Sequence, residues 1–276
     1  MLESPCHSYM LFLNDTRNYH CCVRDHAFYQ QEHPLAIAHR GGTEAAPENT
    51  LAAFSAATAL GYRHLETDVH LSADGVLIAF HDDQLDRVTD RTGQVSELSW
   101  EQIRSARIAG SDPIPTLDEL LEAFPSSFFN IDAKSDAAVD TLVQTLQHHN
   151  AVGRVCVAAF SHRRLRRLRE LLGPDQCTAA SPKEVAQLMA AARLRSSSVP
   201  TGLDYHCVQV PVKQGAIPLL TQGFVNTVHA RNCQVHAWTI NDPAEMHRLL
   251  DLGVDGIITD HPSLLRFVLT ERAQWV

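Results

Sequence analysis

A closed α/β barrel of the TIM (β/α)8 type, with a small insertion near the active-site mouth, is the fold that this sequence predicts. Three observations predict it. From Leu35 to the C-terminus, short apolar or β-branched runs alternate with longer amphipathic ones. Setting aside one run that reads as a hairpin arm leaves eight βα units, which is the barrel count. A length of 276 residues is what one such barrel requires. A doubly wound open sheet would instead want a glycine-rich phosphate loop after its first strand, and Gly41-Gly42 is no GxGxxG.

Taken in order, the strands are expected over 35–38, 64–69, 76–80, 128–133, 155–159, 176–179, 207–210, 234–239 and 256–259. The run 76–80 is the extra one, because Asp74-Gly75 before it is a hairpin turn that folds it back on 64–69. Helices are expected over 49–60, 116–123, 137–149, 162–172, 182–194, 221–231, 243–252 and 263–270. Leu51, Phe54, Ala57 and Thr58 repeat at helical spacing before Gly61, a C-terminal stop. Asp242 caps a helix with Pro243 in its first turn, and Gly253 ends it. Residues 1–34, rich in His, Cys, Asn and Asp and without sustained periodicity, read as a loosely ordered extension before a barrel domain of 35–276.

Composition narrows the function. Hydrophobic residues at 45% and charged residues at 20% describe a folded globular chain. Lys plus Arg is 23 against 32 for Asp plus Glu, a net charge of −9, which argues against nucleic acid or an anionic membrane as the main partner. Seven cysteines, with no CxxC spacing, suggest neither a disulfide framework nor a structural zinc site, so a reducing compartment is expected. Cys6, His7, His20, Cys21, Cys22 and His26 cluster but match no standard zinc pattern. The apolar stretch 9–13 is too short to span a membrane, and Glu3 sits where a signal peptide carries positive charge. A cytoplasmic protein without stable membrane insertion is expected, with self-association into a homo-oligomer left open.

In a TIM barrel the C-terminal ends of the strands carry the site. The first strand ends in His39-Arg40-Gly41-Gly42, the second contains Glu66-Thr67-Asp68, the next leads to His81-Asp82, and 128–133 ends in Asp132 followed by Lys134. Glu66 and Asp68, two apart on a strand, share one face, and apolar Leu65 and Val69 make that strand buried rather than a solvated edge. Buried like charges call for a cation. A hard divalent ion, Mg²⁺ or Ca²⁺, fits oxygen ligands, with Asp132 as a third carboxylate. His39 and His81 bracket the carboxylates as an acid/base pair suited to neutral pH. Because the chain has 16 histidines, His64 and His70 serve as controls and are expected to face outward. Arg40 and Lys134 offer charge to an anion, the alternative being ion pairs with the nearby carboxylates.

These residues resemble the glycerophosphodiester phosphodiesterases. The resemblance rests on His39-Arg40-Gly41, Pro47-Glu48-Asn49-Thr50, Glu66-Thr67-Asp68-Val69, Asp74-Gly75, His81-Asp82, Leu85-Asp86-Arg87 with Thr89, and Ile114-Pro115-Thr116-Leu117. It continues through Trp238-Thr239-Ile240-Asn241 to Gly253-Val254-Asp255-Gly256-Ile257-Ile258-Thr259-Asp260. It implies a metal-dependent barrel enzyme that hydrolyses glycerophosphodiesters, its small-molecule substrates, to sn-glycerol 3-phosphate and an alcohol. It makes His39 and His81 the acid/base pair, Glu66 and Asp68 metal ligands, Arg40 and Lys134 phosphate contacts, and Glu48 and Asn49 site-facing residues. The resemblance also implies that residues 83–112 form the small insertion over the mouth. One departure stands out: the family commonly has Glu-x-Lys where this chain has Asp132-Ala133-Lys134, one methylene shorter. Trp238 is expected flat against the glycerol moiety, barrel core being the alternative. Two other functions stay open: lysophospholipase D activity on the same scaffold, and a catalytically inactive barrel that only binds phosphodiesters.

Overall fold

The computed structural model describes residues 26–29, 34–194 and 205–275. Its strands are β1 (Leu35–Ala38), β2 (His64–Leu71), β3 (Leu77–Ala79), β4 (Arg107–Ile108), β5 (Asp112–Pro113), β6 (Phe128–Ala133), β7 (Val155–Ala158), β8 (Cys177–Thr178), β9 (Cys207–Val210), β10 (Lys213–Gln214), β11 (Ile217–Pro218), β12 (Gln234–Ala237) and β13 (Gly256–Thr259). The helices are α1 (Leu51–Ala59), α2 (Trp100–Ile103), α3 (Leu117–Ala123), α4 (Ala138–His148), α5 (His162–Leu172), α6 (Pro182–Leu194), α7 (Gln222–His229), α8 (Pro243–Leu252) and α9 (Pro262–Glu271).

Eight strands lie in the order β8-β7-β6-β2-β1-β13-β12-β9, paired in parallel. A single parallel bridge, Ala179 to Cys207, joins the ends. This is a TIM barrel, nearly closed. The hairpin arm is the ninth strand: β3 runs antiparallel to β2 with Val69 opposite Ala79, as Asp74-Gly75 predicts. Helix α1 starts later than its periodicity suggests, because Asn49 is left-handed (φ 57°) and Thr50 takes the cap, accepting from Ala53 N at 3.1 Å. Asp242 and Gly253 bound α8 as expected, Asp242 accepting from Glu245 N and Gly253 closing at φ 90°.

Period-two alternation sends one set of strand side chains into the barrel and the other against the helices. Outward residues such as Leu65, Val69, Phe129 and Ile131 pack under α1, α3 and α4. Inward residues Leu35, Ile37, Cys156, Cys177, Cys207 and Ile258 fill the lower barrel together with Phe28 and Tyr29. These two aromatics lie in a 3-10 turn, Ala27–Tyr29, and are buried. That short piece of the N-terminal extension therefore belongs to the barrel floor, because the open lower end of a barrel exposes apolar side chains that an aromatic plug removes from water. Of the clustered His and Cys residues near the N-terminus, all but His26 lie outside the described residues.

His64 and His70 correct the expectation that they face outward. Both share the parity of Glu66 and Asp68, and both are buried. His64 stacks on Phe128 at 4.9 Å and donates from Nε2 to the Phe28 carbonyl at 2.8 Å, and burial lowers its pKa to about 4. The insertion folds around its own cluster, with Leu85, Val95, Ile103, Ala106 and Ile108 packed on Ile78 and Phe80. Among the described residues no helix is long and apolar enough to cross a membrane.

Candidate active site

The inward parity that carries Leu35 and Ile37 on β1, and Ile258 on β13, places His39 and Asp260 as the next inward residues above those strands. A tight turn fixes His39. Gly41 and Gly42 have φ of 82° and 87°, and a Cβ would lie 2.8 Å from Phe54 N at the first and 2.5 Å from Pro262 Cγ at the second. Arg40 is itself left-handed at φ 52°, held there by its N–H donating to Glu66 Oε2 (3.0 Å) and its carbonyl accepting from Asn49 N (2.8 Å).

His39 Nδ1 lies 2.5 Å from Asp260 Oδ1, and its Nε2 lies 3.9 Å from Glu66 Oε2. Asn241 locks Asp260 in turn: its Nδ2 donates to Asp260 Oδ2 at 2.8 Å and its Oδ1 accepts from Asp260 N at 2.9 Å. Burial alone would lower the His39 pKa, but the Glu66 charge and the Asp260 hydrogen bond outweigh it and raise the net value. His81 is built the same way. Its Nδ1 lies 2.6 Å from Asp82 Oδ1, and its carbonyl accepts from His70 Nε2 at 3.0 Å. An Nδ1–H given to a carboxylate leaves Nε2 of each ring as the nitrogen that exchanges protons.

Glu66, within 3.9 Å of His39, shares the inward face of β2 with Asp68. Asp68 and Asp132 are register partners on β2 and β6, and Lys134 Nζ bridges them at 2.7 Å and 2.9 Å. Arg40 Nε stands 3.4 Å from Asp68 Oδ2. Both cations are thus ion-paired with the carboxylates, the arrangement given above as the alternative to anion contact. Burial, reinforced by the charge of Asp68, raises the Glu66 pKa; burial raises that of Asp132 as well. Asp68 Oδ2 and Asp132 Oδ1 are buried without a hydrogen-bond partner. Buried carboxylate oxygens rarely stay so, and an all-oxygen set short of donors fits a hard divalent cation. Among the described residues, no three His, Cys, Asp or Glu side chains already enclose one metal-sized point.

Glu48 has both oxygens engaged: Arg40 Nη1 donates to Oε1 at 2.8 Å, and Arg87 donates to Oε1 and Oε2 at 2.7 Å and 3.0 Å. Asn49 is buried, its Oδ1 accepting from Thr67 Oγ1 at 2.8 Å, so it ties the loop to the outward face of β2. Trp238 is half-buried above β12, its ring edge-on to Phe160 with centroids 6.0 Å apart. Phe160 is 65% exposed, and Lys134 Nζ lies 5.7 Å from its ring centroid. Asp260, Asp82, Arg87 and Phe160 received no role from the sequence. Asp260 has a legible signal, since it follows the apolar run of β13 as His39 follows that of β1.

Comparisons with known proteins identify similar chains over most of this sequence. Residues 39–264 match the glycerophosphoryl diester phosphodiesterase family. A Mycobacterium tuberculosis protein named "Probable glycerophosphodiester phosphodiesterase 2" is 40% identical over 87% of this chain and 92% of its own. A glycerophosphodiester phosphodiesterase of Caldanaerobacter subterraneus is 32% identical over 84% of this chain and 96% of its own. Among solved structures, an Oleispira antarctica phosphodiesterase in complex with the product sn-glycerol-3-phosphate superposes with a TM-score of 0.70 at 25% identity, covering 86% of this chain and 97% of that one.

Proposed function

Since the chain belongs to the glycerophosphoryl diester phosphodiesterase family, we propose that it hydrolyses glycerophosphodiesters to sn-glycerol 3-phosphate and an alcohol, using His39 and His81 as its proton-transfer pair and a divalent ion held by Glu66, Asp68 and Asp132. One observation carries the reading. Two histidines, each with Nδ1 on a carboxylate, and a buried carboxylate cluster beside His39 come from strand ends and the segments that follow them in one barrel.

His39, steadied by Asp260, takes the proton of the glycerol hydroxyl next to the phosphate, and that oxygen attacks phosphorus. His81, steadied by Asp82, gives its proton to the departing alkoxide, so an alcohol leaves and a cyclic phosphate remains. In the second half the roles reverse: His81 takes a proton from water, the hydroxide opens the ring, and His39 returns a proton to the glycerol oxygen. A divalent ion at the carboxylates supplies neutralisation of phosphate charge. Arg40 and Lys134 exchange carboxylate for phosphate oxygens when substrate enters, the guanidinium offering the bidentate fork. Trp238 and Phe160 offer an apolar wall to the carbon skeleton.

The test is a panel of glycerophosphodiesters assayed with Mg²⁺, with Ca²⁺ and after exhaustive chelation, beside lysophosphatidylcholine. Turnover of the glycerophosphodiesters that chelation abolishes and a divalent ion restores is the expected result. Full activity after chelation would remove the metal from the account, and turnover of lysophosphatidylcholine alone would move the substrate to lysophospholipids.

A further inference from the structure

The two histidines differ in what stands behind their carboxylates. Asp260 is fixed by Asn241 through two hydrogen bonds at the strand ends. Asp82 has no such neighbour on the barrel among the described residues. It is gripped from the insertion by Arg87, whose Nε lies 2.5 Å from Oδ2 and whose Nη2 lies 3.1 Å from Oδ1, the oxygen that also meets His81 Nδ1. The far edge of the same guanidinium reaches Glu48 through Nη1 at 3.0 Å and Nη2 at 2.7 Å. Glu48 Oε1 in turn accepts from Arg40. An unbroken chain of hydrogen-bonded polar groups thus runs His81, Asp82, Arg87, Glu48, Arg40.

From this chain we infer that Arg87 is a positioning residue: it holds Asp82, and through Asp82 the His81 ring, in the orientation that delivers a proton to the leaving oxygen. The inference rests on the reading of His81 as the acid. Exposed ion pairs are commonly worth little, and the Arg87 side chain is 48% exposed. Two bidentate contacts on one planar fork are the exception, because the geometry is fixed by both carboxylates at once. Lysine, a point charge on a flexible stem, cannot span them in that way. Arg87 is anchored below by Leu85, buried in the insertion's cluster, whose carbonyl accepts from Thr89 Oγ1 at 2.8 Å. The ring of His81, by contrast, has Asp82 as its one hydrogen-bond partner among the described residues. The insertion therefore supplies the group that orients the acid.

The experiment compares Arg87→Met, Arg87→Lys and His81→Ala on two substrates: glycerophosphocholine, whose leaving alkoxide needs a proton, and a glycerol nitrophenyl phosphodiester, whose leaving group does not. For glycerophosphocholine, Arg87→Met is expected to lower kcat/KM by about tenfold or more, mainly through kcat, with Arg87→Lys losing a similar share. For the nitrophenyl ester the same variants should stay within about threefold of wild type. Equal losses on both substrates would overturn the inference, since a residue that serves the fold or Arg40 cannot distinguish leaving groups; so would unchanged turnover of glycerophosphocholine. His81→Ala separates this failure from that of the underlying reading. If the nitrophenyl ester rescues His81→Ala but not Arg87→Met, the inference about Arg87 fails alone. If His81→Ala is not rescued, the assignment of His81 as acid fails.

Discussion

Asp260→Asn isolates one interaction of the proposed proton-transfer pair. The carboxylate lies 2.5 Å from His39 Nδ1, so as His39 takes up a proton the imidazolium forms against a full negative charge. Two unit charges about 4 Å apart interact by about 4 kcal/mol at an effective dielectric near 20. Because the Asp260 side chain is 26% exposed, solvent screening reduces that figure. At about 1.4 kcal/mol per decade, the remainder corresponds to a loss in kcat/KM on the order of 10²-fold. The amide adds to the loss by presenting an N–H to Nδ1, which favours the tautomer with the proton on Nε2, where the base must be bare. Size and shape are conserved and Asn241 can still bond the residue, so the fold should persist. Initial rates of glycerol 3-phosphate release from glycerophosphocholine, with thermal unfolding measured alongside, read the effect. A loss below about threefold in a normally folded variant would refute the idea that His39 works through Asp260.

Other expectations follow from the same geometry. Glu66→Gln and Asp68→Asn should lose divalent-ion affinity as well as rate, measured by calorimetric titration, whereas Asp132→Glu, which restores the longer side chain, should keep substantial activity. Trp238→Ala should raise KM more than it lowers kcat if the indole only positions substrate; an unaltered KM with a lowered Tm would make it barrel core. Burial, with a smaller contribution from neighbouring His26, depresses the His206 pKa to about 4. Its unfolded value is about 6.5, so its neutral form favours the folded state above that pH, and stability falls as pH drops from about 6.5 towards 4, by on the order of 3 kcal/mol in total. His206→Asn should flatten the dependence of Tm on pH across that window, and an unchanged slope would assign the acid sensitivity elsewhere.

Much of this molecule is legible in its sequence because barrels repeat a local rule. The apolar runs at β1, β6, β9 and β13 and the helices α5, α6 and α8 stand at the expected residues, with His39 and Arg40 directly after β1 and Asp132 near the end of β6. What escaped is of two kinds. The orientation of His64 and His70 was available from alternation alone, since residues two apart from Glu66 and Asp68 must share their face. The partners were not available. Asp260 meets His39 across 221 positions, and Arg87 meets Glu48 across 39, and no local period encodes such pairings. Phe28 is hidden for the same reason: its burial depends on the open floor of a barrel that the residues around it do not build. The ion pairs of Lys134 were foreseen only as an alternative, because a lysine two residues beyond a carboxylate reads equally as a partner for that carboxylate or for a substrate anion.

The central claim concerns which bond of a glycerophosphodiester breaks, and phosphorus resonance reports it directly. Glycerophosphocholine incubated with the protein and a divalent ion should lose its diester ³¹P signal and gain that of glycerol 3-phosphate, with choline as the other product. Appearance of the phosphocholine signal instead would place the cleavage on the glycerol side, and persistence of the diester signal with both Mg²⁺ and Ca²⁺ would contradict the proposed activity.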